Sequence, residues 1–272
     1  MEEGFSEQIG DKVAAGRVRF VNAAIAGSSL RSWFYVLREL DPGRNAYSVI
    51  VVPLEDYNDE DGPWDRDDDV IDLRVTAPAL RLTDIAGFTR SFRDWGARGQ
   101  ALQGAVLKGF IYRDDLRDFL RHPAGRVSTV RLNDEHAAEW IYGYTGRSQV
   151  FNERDPVFQG LSHRPASPQT GRYKRYRAYW LDRLMAPYAA NGTRFLLFRV
   201  PRNPLPIARY GRYEPLSSVR ALASRPAVVV ADEGMFDSLE QPQYFFDALH
   251  LNGAGRRLLS NALAAFILQR FF

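Results

Sequence analysis

One apolar run limits what this chain can fold into. Residues 48–54 read Ser-Val-Ile-Val-Val-Pro-Leu, so all but the first are apolar. Strands that are buried on both faces of a parallel sheet have this composition, whereas half-exposed antiparallel strands alternate apolar and polar residues. We therefore predict a buried strand at Ser48–Leu54 in a parallel sheet with helices on its faces.

The rest of the chain alternates strand-like and helix-like segments, which indicates the α/β class. The predicted strands besides Ser48–Leu54 are Val18–Ile25, Phe195–Val200 and Ala227–Ala231. The predicted helices are Leu30–Leu40, Arg172–Ala190 and Gly253–Phe272.

Residues 57–171 interrupt this alternation. They comprise an acidic loop, helix-like segments around Leu80–Trp95 and Ala101–Leu120, and a polar stretch from His122 to Pro168. We interpret residues 57–171 as an inserted cap region that shapes a pocket within a single domain, residues 1–272. No second independent core is expected there.

Composition excludes several classes of site. The chain has no cysteine, which rules out disulfides, thiolate zinc sites and a cysteine nucleophile. His122, His136 and His163 share no metal-ligand spacing, and no glycine-rich nucleotide-binding motif is present. We predict neither a metal nor a cofactor. The sequence also lacks a long apolar run and a charged-then-apolar pattern after Met1, so we expect no membrane span and no export signal in it.

The segment Arg172–Arg177 interleaves basic and aromatic residues, which is the composition of many nucleic-acid surfaces. On a helix, however, Tyr173, Tyr176, Trp180 and Leu184 share one face. This spacing favours an amphipathic helix that covers the sheet. We therefore expect no nucleic-acid partner.

Asp247 and His250 form a possible acid–base pair before the C-terminal helix. In open parallel sheets, ligands bind beyond the C-terminal strand ends, where Gly27 and Ser28 are also expected. The imidazole of His250 can take a proton from a hydroxyl nucleophile while Asp247 holds its tautomer, and the backbone N–H near Gly27 can stabilise an oxyanion. The ordinary alternative is that this Asp-x-x-His is a helix-capping arrangement.

Three arginines lie near the end of the predicted strand Phe195–Val200. Arg199, Arg202 and Arg209 either bind an anionic sugar or carboxylate, or are solvated surface charges. The sequence leaves both interpretations open.

Three segments together resemble the conserved blocks of the SGNH (GDSL-like) hydrolases. The first is Asp247-Ala248-Leu249-His250-Leu251-Asn252, followed by Gly253-Ala254-Gly255 and a terminal helix. The second is Asn22–Ser29, which is similar to the block whose glycine contributes to the oxyanion hole. The third is the strand Val49–Leu54 running into Glu55-Asp56-Tyr57-Asn58, where the family carries an oxyanion-hole asparagine.

This resemblance implies a flavodoxin-like three-layer sandwich with a mainly parallel sheet. It also implies hydrolysis or transfer of an acyl ester, often an acetyl group on a carbohydrate, so the expected substrate is a carbohydrate or other acyl ester. His250 is then the general base and Asp247 its orienting carboxylate, while Gly27 and Asp56 or Asn58 shape the oxyanion region. A cell-envelope or periplasmic location follows from the resemblance alone, and the oligomeric state stays open.

The chain departs from the family at the nucleophile. The Gly-Asp-Ser turn that follows the family's first strand has no counterpart here, and Asp56 stands where the family has asparagine, with Asn58 two residues late. Three explanations are then open. The chain is a shortened version of a longer protein, with a gap in the sheet and unpaired backbone groups. Alternatively, it is a non-catalytic relative that binds a glycan or partner, or it is an enzyme that uses Ser28 or Ser29 instead. Serines before Leu30 also suit a helix N-cap.

Overall fold

Three strands form one parallel sheet. The computed structural model describes residues 5–25, 28–55, 57, 73–92, 94–125, 127, 173–204, 217–245 and 250–272. Within these residues, β1 (Val49–Leu54), β2 (Arg194–Arg199) and β3 (Val228–Val230) lie in the order β1-β2-β3, and β2 pairs in parallel with both neighbours. The prediction of an α/β fold with a parallel sheet is confirmed.

Helices occupy most of the remaining described chain. They are α1 Glu7–Ala14, α2 Leu30–Leu40, α3 Leu73–Ala79, α4 Ile85–Arg90, α5 Trp95–Val106, α6 Lys108–Ile111, α7 Arg113–Arg121, α8 Tyr173–Met185, α9 Ser218–Leu222 and α10 Gly253–Phe271. Short 3₁₀ turns cover Leu82–Asp84, Ala186–Tyr188, Asp237–Leu239 and Pro242–Tyr244. Within the described residues, no helix combines the length and the hydropathy of a membrane span.

The segment Val18–Ile25 is not a strand, so this prediction is wrong. Its residues alternate between half-buried and exposed, and Val21 is 56% exposed. The backbone N–H of Phe20 donates to the Asp11 carboxylate (2.8 Å) instead of joining a sheet. An apolar sequence alone does not make a strand, because a strand also needs a neighbouring edge to pair with.

The sheet separates two apolar clusters. Phe195 and Leu197 of β2 point to one side, while Leu196 and Phe198 point to the other. We call the first side the aromatic face, because α2, α4, α8 and the segment after α4 cover it with Tyr35, Phe88, Phe92, Tyr176 and Trp180. We call the second side the α10 face, because α10 covers it with Leu259, Leu263, Ile267 and Phe271.

The first helices of the predicted cap region belong to the aromatic-face cluster. Val52 and Leu54 of β1 share that cluster with residues of α3, α4 and α5, namely Leu73, Ala77, Phe88, Ala97, Ala101 and Ala105. These helices therefore extend the core of the sheet and do not build a separate one. The assignment of residues 57–171 as an inserted cap stays a prediction.

The outer edge of β1 carries backbone groups that do not pair with β2. Arg194 N–H donates to Ser48 O (3.0 Å) and Val200 N–H donates to Leu54 O (2.9 Å), so the even-numbered residues of β1 bond to β2. By alternation, Val49, Val51 and Pro53 direct their backbone groups to the opposite edge. Val52 and Leu54 are buried against the aromatic face, and Val49 and Val51 are partly buried against the α10 face, so both faces of β1 are covered but only the first is fully buried.

Candidate functional site

The C-terminal ends of the three strands lie along one edge of the sheet. Glu55 follows β1, residues 200–203 follow β2 and residues 231–234 follow β3. Ligands of open parallel sheets bind beyond this edge, so the side chains here are the first place to look for a site.

Arg199 is buried at this edge and bound to acidic groups of the same chain. It is 5% exposed; its Nε donates to the backbone oxygen of Glu233 (2.8 Å) and its Nη2 to Asp237 Oδ1 (2.6 Å). Its Nη1 donates to Glu240 Oε1. The interpretation as a solvated surface charge is therefore wrong for Arg199, because its guanidinium is buried and binds carboxylates of the same chain.

Arg202 extends the same network to β1. Its Nε donates to the backbone oxygen of Glu55 (2.8 Å), and its backbone N–H donates to Glu240 Oε1 (3.1 Å). Glu240 thus bridges Arg199 and Arg202, and the loop after β2 is tied to the end of β1. Arg209 lies outside the described residues.

A second ion pair lies beside the first. Arg220 of α9 donates from Nη2 to Oε2 of Glu233 (2.6 Å), and Glu233 is 6% exposed. Charge-assisted hydrogen bonds of this length are strong, and a buried carboxylate needs such a partner. The pair anchors α9 to the loop after β3.

Tyr57, which lies shortly after β1, contacts the other two strands at this edge. Its hydroxyl donates to the backbone oxygens of Ala231 (2.8 Å) and Leu197 (3.3 Å), so one side chain joins the ends of β2 and β3. Burial raises the pKa of Tyr57 well above its ordinary value, which keeps the hydroxyl protonated as a donor. Tyr57 and the ion pairs described above therefore bind other groups of this chain and join the loops at the strand ends.

His250 is exposed just before α10. It directly precedes Leu251, which forms an isolated antiparallel bridge with Phe245, and Asn252, which caps α10. An exposed imidazole at this position is accessible to a reactant. Its predicted partner Asp247 lies outside the described residues, so the pairing stays a prediction.

The residues after His250 have structural roles of their own. The side chain of Asn252 accepts from the backbone N–H groups of Ala254 (3.0 Å) and Gly255 (3.1 Å) and donates to the backbone oxygen of Gln243 (2.6 Å). A Cβ atom on Gly255 would collide with the backbone oxygen of Tyr244. Part of the run that carries the family resemblance is thus explained by helix capping and close backbone approach.

Ser28 and Ser29, the two substitute nucleophiles, are engaged in local structure. Ser28 Oγ donates to Ile25 O (2.5 Å) and accepts from the indole N–H of Trp33 (2.7 Å). Ser29 is the buried N-cap of α2, where its backbone N–H donates to Ser32 Oγ (2.7 Å) and its own Oγ accepts from the Tyr176 hydroxyl (3.4 Å). The N-cap prediction for this segment is confirmed.

The predicted oxyanion-hole residues Gly27, Asp56 and Asn58 all lie outside the described residues. Their predicted roles stay predictions. Of the predicted site residues, the structure therefore places His250, Ser28 and Ser29.

A groove of about 420 Å³ lies elsewhere, between β3 with the residues after it and the C-terminal half of α10. His250 is not among its lining residues, which are Val229, Val230, Ala231, Asp232, Phe266, Gln269 and Arg270. Its walls combine apolar side chains with one carboxylate, one amide and one guanidinium.

Sequence analysis missed the acidic half of the strand-end network. Glu233, Asp237 and Glu240 lie in a stretch with no motif, 34 to 41 residues after Arg199. The only sequence signal was an arginine at the end of an apolar strand, which favours an ionic partner without indicating which one.

No family model matches the chain, and no curated protein or solved structure shows significant similarity to it.

Proposed function

We propose that this chain has the scaffold of an SGNH-like acyl-ester hydrolase or O-acyltransferase that acts on a carbohydrate or polysaccharide. In this proposal the fold is flavodoxin-like, His250 is the general base and Asp247 orients it. The supporting observation is the position of His250: an exposed imidazole immediately before the long helix α10, which packs on one face of a parallel sheet.

The free edge of β1 is consistent with this proposal. A flavodoxin-like sheet has more strands than the three described, and the backbone groups of Val49 and Val51 face an edge with no described partner. Pro53 has no N–H, so a further strand would receive hydrogen bonds from Val49 and Val51 alone on this edge.

We further propose that residues 1–272 by themselves do not hydrolyse esters. A serine nucleophile needs a free Oγ within hydrogen-bond reach of its base. The Oγ of Ser28 already donates to Ile25 O, and Ser29 is 6% exposed. Neither hydroxyl is arranged for attack on an ester carbonyl.

The second candidate is a non-catalytic glycan-binding or assembly protein on the same scaffold. It is favoured by the engagement of both serines and by the ionic network that fills the strand ends. This candidate needs no nucleophile.

A fluorophosphonate probe, which labels activated serines, separates the two candidates. We expect no labelling of the 272-residue chain. If codons upstream of Met1 continue the reading frame, the extended chain should be labelled, and His250→Ala should reduce the labelling rate at least about 100-fold. His122→Ala is the matched control, since His122 is also exposed but pairs with Asp118 (3.2 Å).

Labelling of Ser28 or Ser29 in the 272-residue chain would contradict the proposed inactivity. Absence of labelling in every form, together with binding to an acetylated-polysaccharide array, would favour the non-catalytic candidate.

A further inference from the structure

The helices α5, α6 and α7 expose an unusual amount of apolar surface. We call this surface the apolar strip; it consists of eight large apolar side chains that are 41% to 79% exposed, namely Trp95, Leu102, Val106, Leu107, Phe110, Leu116, Phe119 and Leu120. Their exposed area is on the order of 1,000 Å², whereas the largest apolar patch of a typical monomer is about 300–600 Å². A surface of this size indicates a binding role.

Helix α5 is apolar on two sides. Its inner side packs Ala97, Ala101 and Ala105 into the aromatic-face cluster. Trp95, Leu102 and Val106 follow at spacings of seven and four residues, which places them together on the outer side. Packing among the described residues accounts for the inner side and leaves the outer one unexplained.

Helix α7 is amphipathic, yet all of its described side chains are exposed. Leu116, Phe119 and Leu120 have the i, i+3, i+4 spacing of a single apolar face. A helix of nine residues is marginal in water without tertiary packing. The apolar face of α7 therefore has the properties of a surface that is stabilised by a partner.

The charges around the strip suit a protein partner. Helices α5, α6 and α7 together carry five basic residues and three aspartates, so they hold charges of both signs. Helices that lie on anionic membranes, and surfaces that bind nucleic acid, are dominated by positive charge. A surface with both signs can instead match a second surface of the same kind.

We propose that the apolar strip is a self-association surface through which two copies of this chain pair about a two-fold axis. A two-fold interface places the same patch on both copies, so a patch that carries charges of both signs can pair them with those of its copy. The area of the strip is also close to the roughly 800 Å² per partner that a standard interface buries. Trp95, which is 79% exposed with Arg98 stacked on it at 4.7 Å, is a large aromatic residue of the kind that dominates such interfaces.

The test compares three forms of the full chain by sedimentation equilibrium between about 1 and 100 µM. We expect the unsubstituted chain to be dimeric in this range, and Leu116→Asp/Leu120→Asp to raise the dimer dissociation constant at least about 100-fold. Leu258→Asp is the matched control, because Leu258 is also an exposed helical leucine (41%) but lies on α10, outside the strip. It should leave the dissociation constant unchanged. Thermal melts of all three forms check that the surface substitutions preserve folding.

A monomeric unsubstituted chain at 100 µM would overturn the proposal, as would a dimer that persists in Leu116→Asp/Leu120→Asp. The same forms are also sedimented with vesicles of phosphatidylglycerol and phosphatidylcholine. Vesicle binding that the double substitution abolishes would assign the strip to a lipid surface and would also overturn the proposal.

Discussion

The two faces of the sheet differ in the polar groups that they bury. On the α10 face, apolar side chains cover β2; they come from α10, from the segment before α1 and from the turns after β3, and the buried polar group of α10 itself is Ser260. The aromatic face is covered by several short helices, and it contains tyrosine hydroxyls and the buried guanidinium of Arg31. Arg31 is 1% exposed and stacks 3.6 Å from the centroid of Phe92.

This difference determines how each face tolerates change. Purely apolar packing depends on volume, and side chains of similar size can replace one another at modest cost. A buried charge depends on specific partners, and loss of one partner leaves the other uncompensated. We therefore expect the α10 face to tolerate conservative substitutions and the aromatic face, with the network at its strand-end edge, to resist them.

The largest expected effect is at Arg199. Because Arg199→Met keeps most of the volume but leaves Glu240 and Asp237 without their cation, we expect the free energy of unfolding to fall by about 3–5 kcal/mol in urea denaturation. Arg225→Met removes an exposed pair with Asp182 and should cost less than about 1 kcal/mol. Equal effects at the two positions would contradict the structural role of the buried network.

On the α10 face, two substitutions of Leu263 test whether stability depends mainly on the volume of the side chain. Leu263→Ala leaves a cavity beneath α10 and should cost about 2–5 kcal/mol, whereas Leu263→Met conserves volume and should cost less than about 1.5 kcal/mol. Urea denaturation of both variants measures the difference. If methionine cost as much as alanine, this face would depend on exact shape, as we expect of the aromatic face.

Capping of α10 is expected to contribute less to the free energy of unfolding than the packing of Leu263. Asn252→Ala removes the side-chain acceptor for two N–H groups of α10 and should cost about 1 kcal/mol, within a range of about 0.5–2. Asn261→Ala is the control, because Asn261 lies in the interior of the same helix and is exposed. Thermal unfolding monitored by circular dichroism should rank Asn252→Ala well below Asn261→Ala in melting temperature.

The smallest effect at neutral pH is at Tyr35, where the two faces differ in their response to alkali. Burial raises the pKa of Tyr35 to about 12, against the opposing charge of Arg183. The unfolded chain therefore loses this proton first, near pH 10, so stability is full below about pH 10 and falls as pH rises towards 12. Tyr35→Phe should reduce this alkaline loss. An unchanged slope of unfolding free energy between pH 9 and 11 would show that the hydroxyl does not contribute.

The regular parts of the fold were predictable because their signals are local. Helices α2 and α10 follow from apolar periodicity, and the three strands follow from short apolar runs, within one or two residues of the observed bounds. Val18–Ile25 is also rich in apolar residues but is not a strand, because pairing depends on a neighbour elsewhere in the chain.

The candidate site was less predictable because its contacts join residues that lie far apart in the sequence. The burial of Arg199 depends on acids 34 to 41 residues away, and no spacing rule connects them. Likewise, α5 has apolar residues on both its inner and its outer side, so the sequence does not show which side packs into the core. Capping at Ser29 was visible because an N-cap is a local signal.

Pro53 has a further consequence for how this protein behaves at high concentration. Its nitrogen lies on the edge of β1 that has no partner among the described strands, and this nitrogen has no hydrogen to donate. Exposed apolar edges recruit strands from other molecules and seed aggregates, and proline is one of the devices that prevents this. Pro53 therefore reduces aggregation, and Pro53→Val should make the protein precipitate at lower concentration while it still folds.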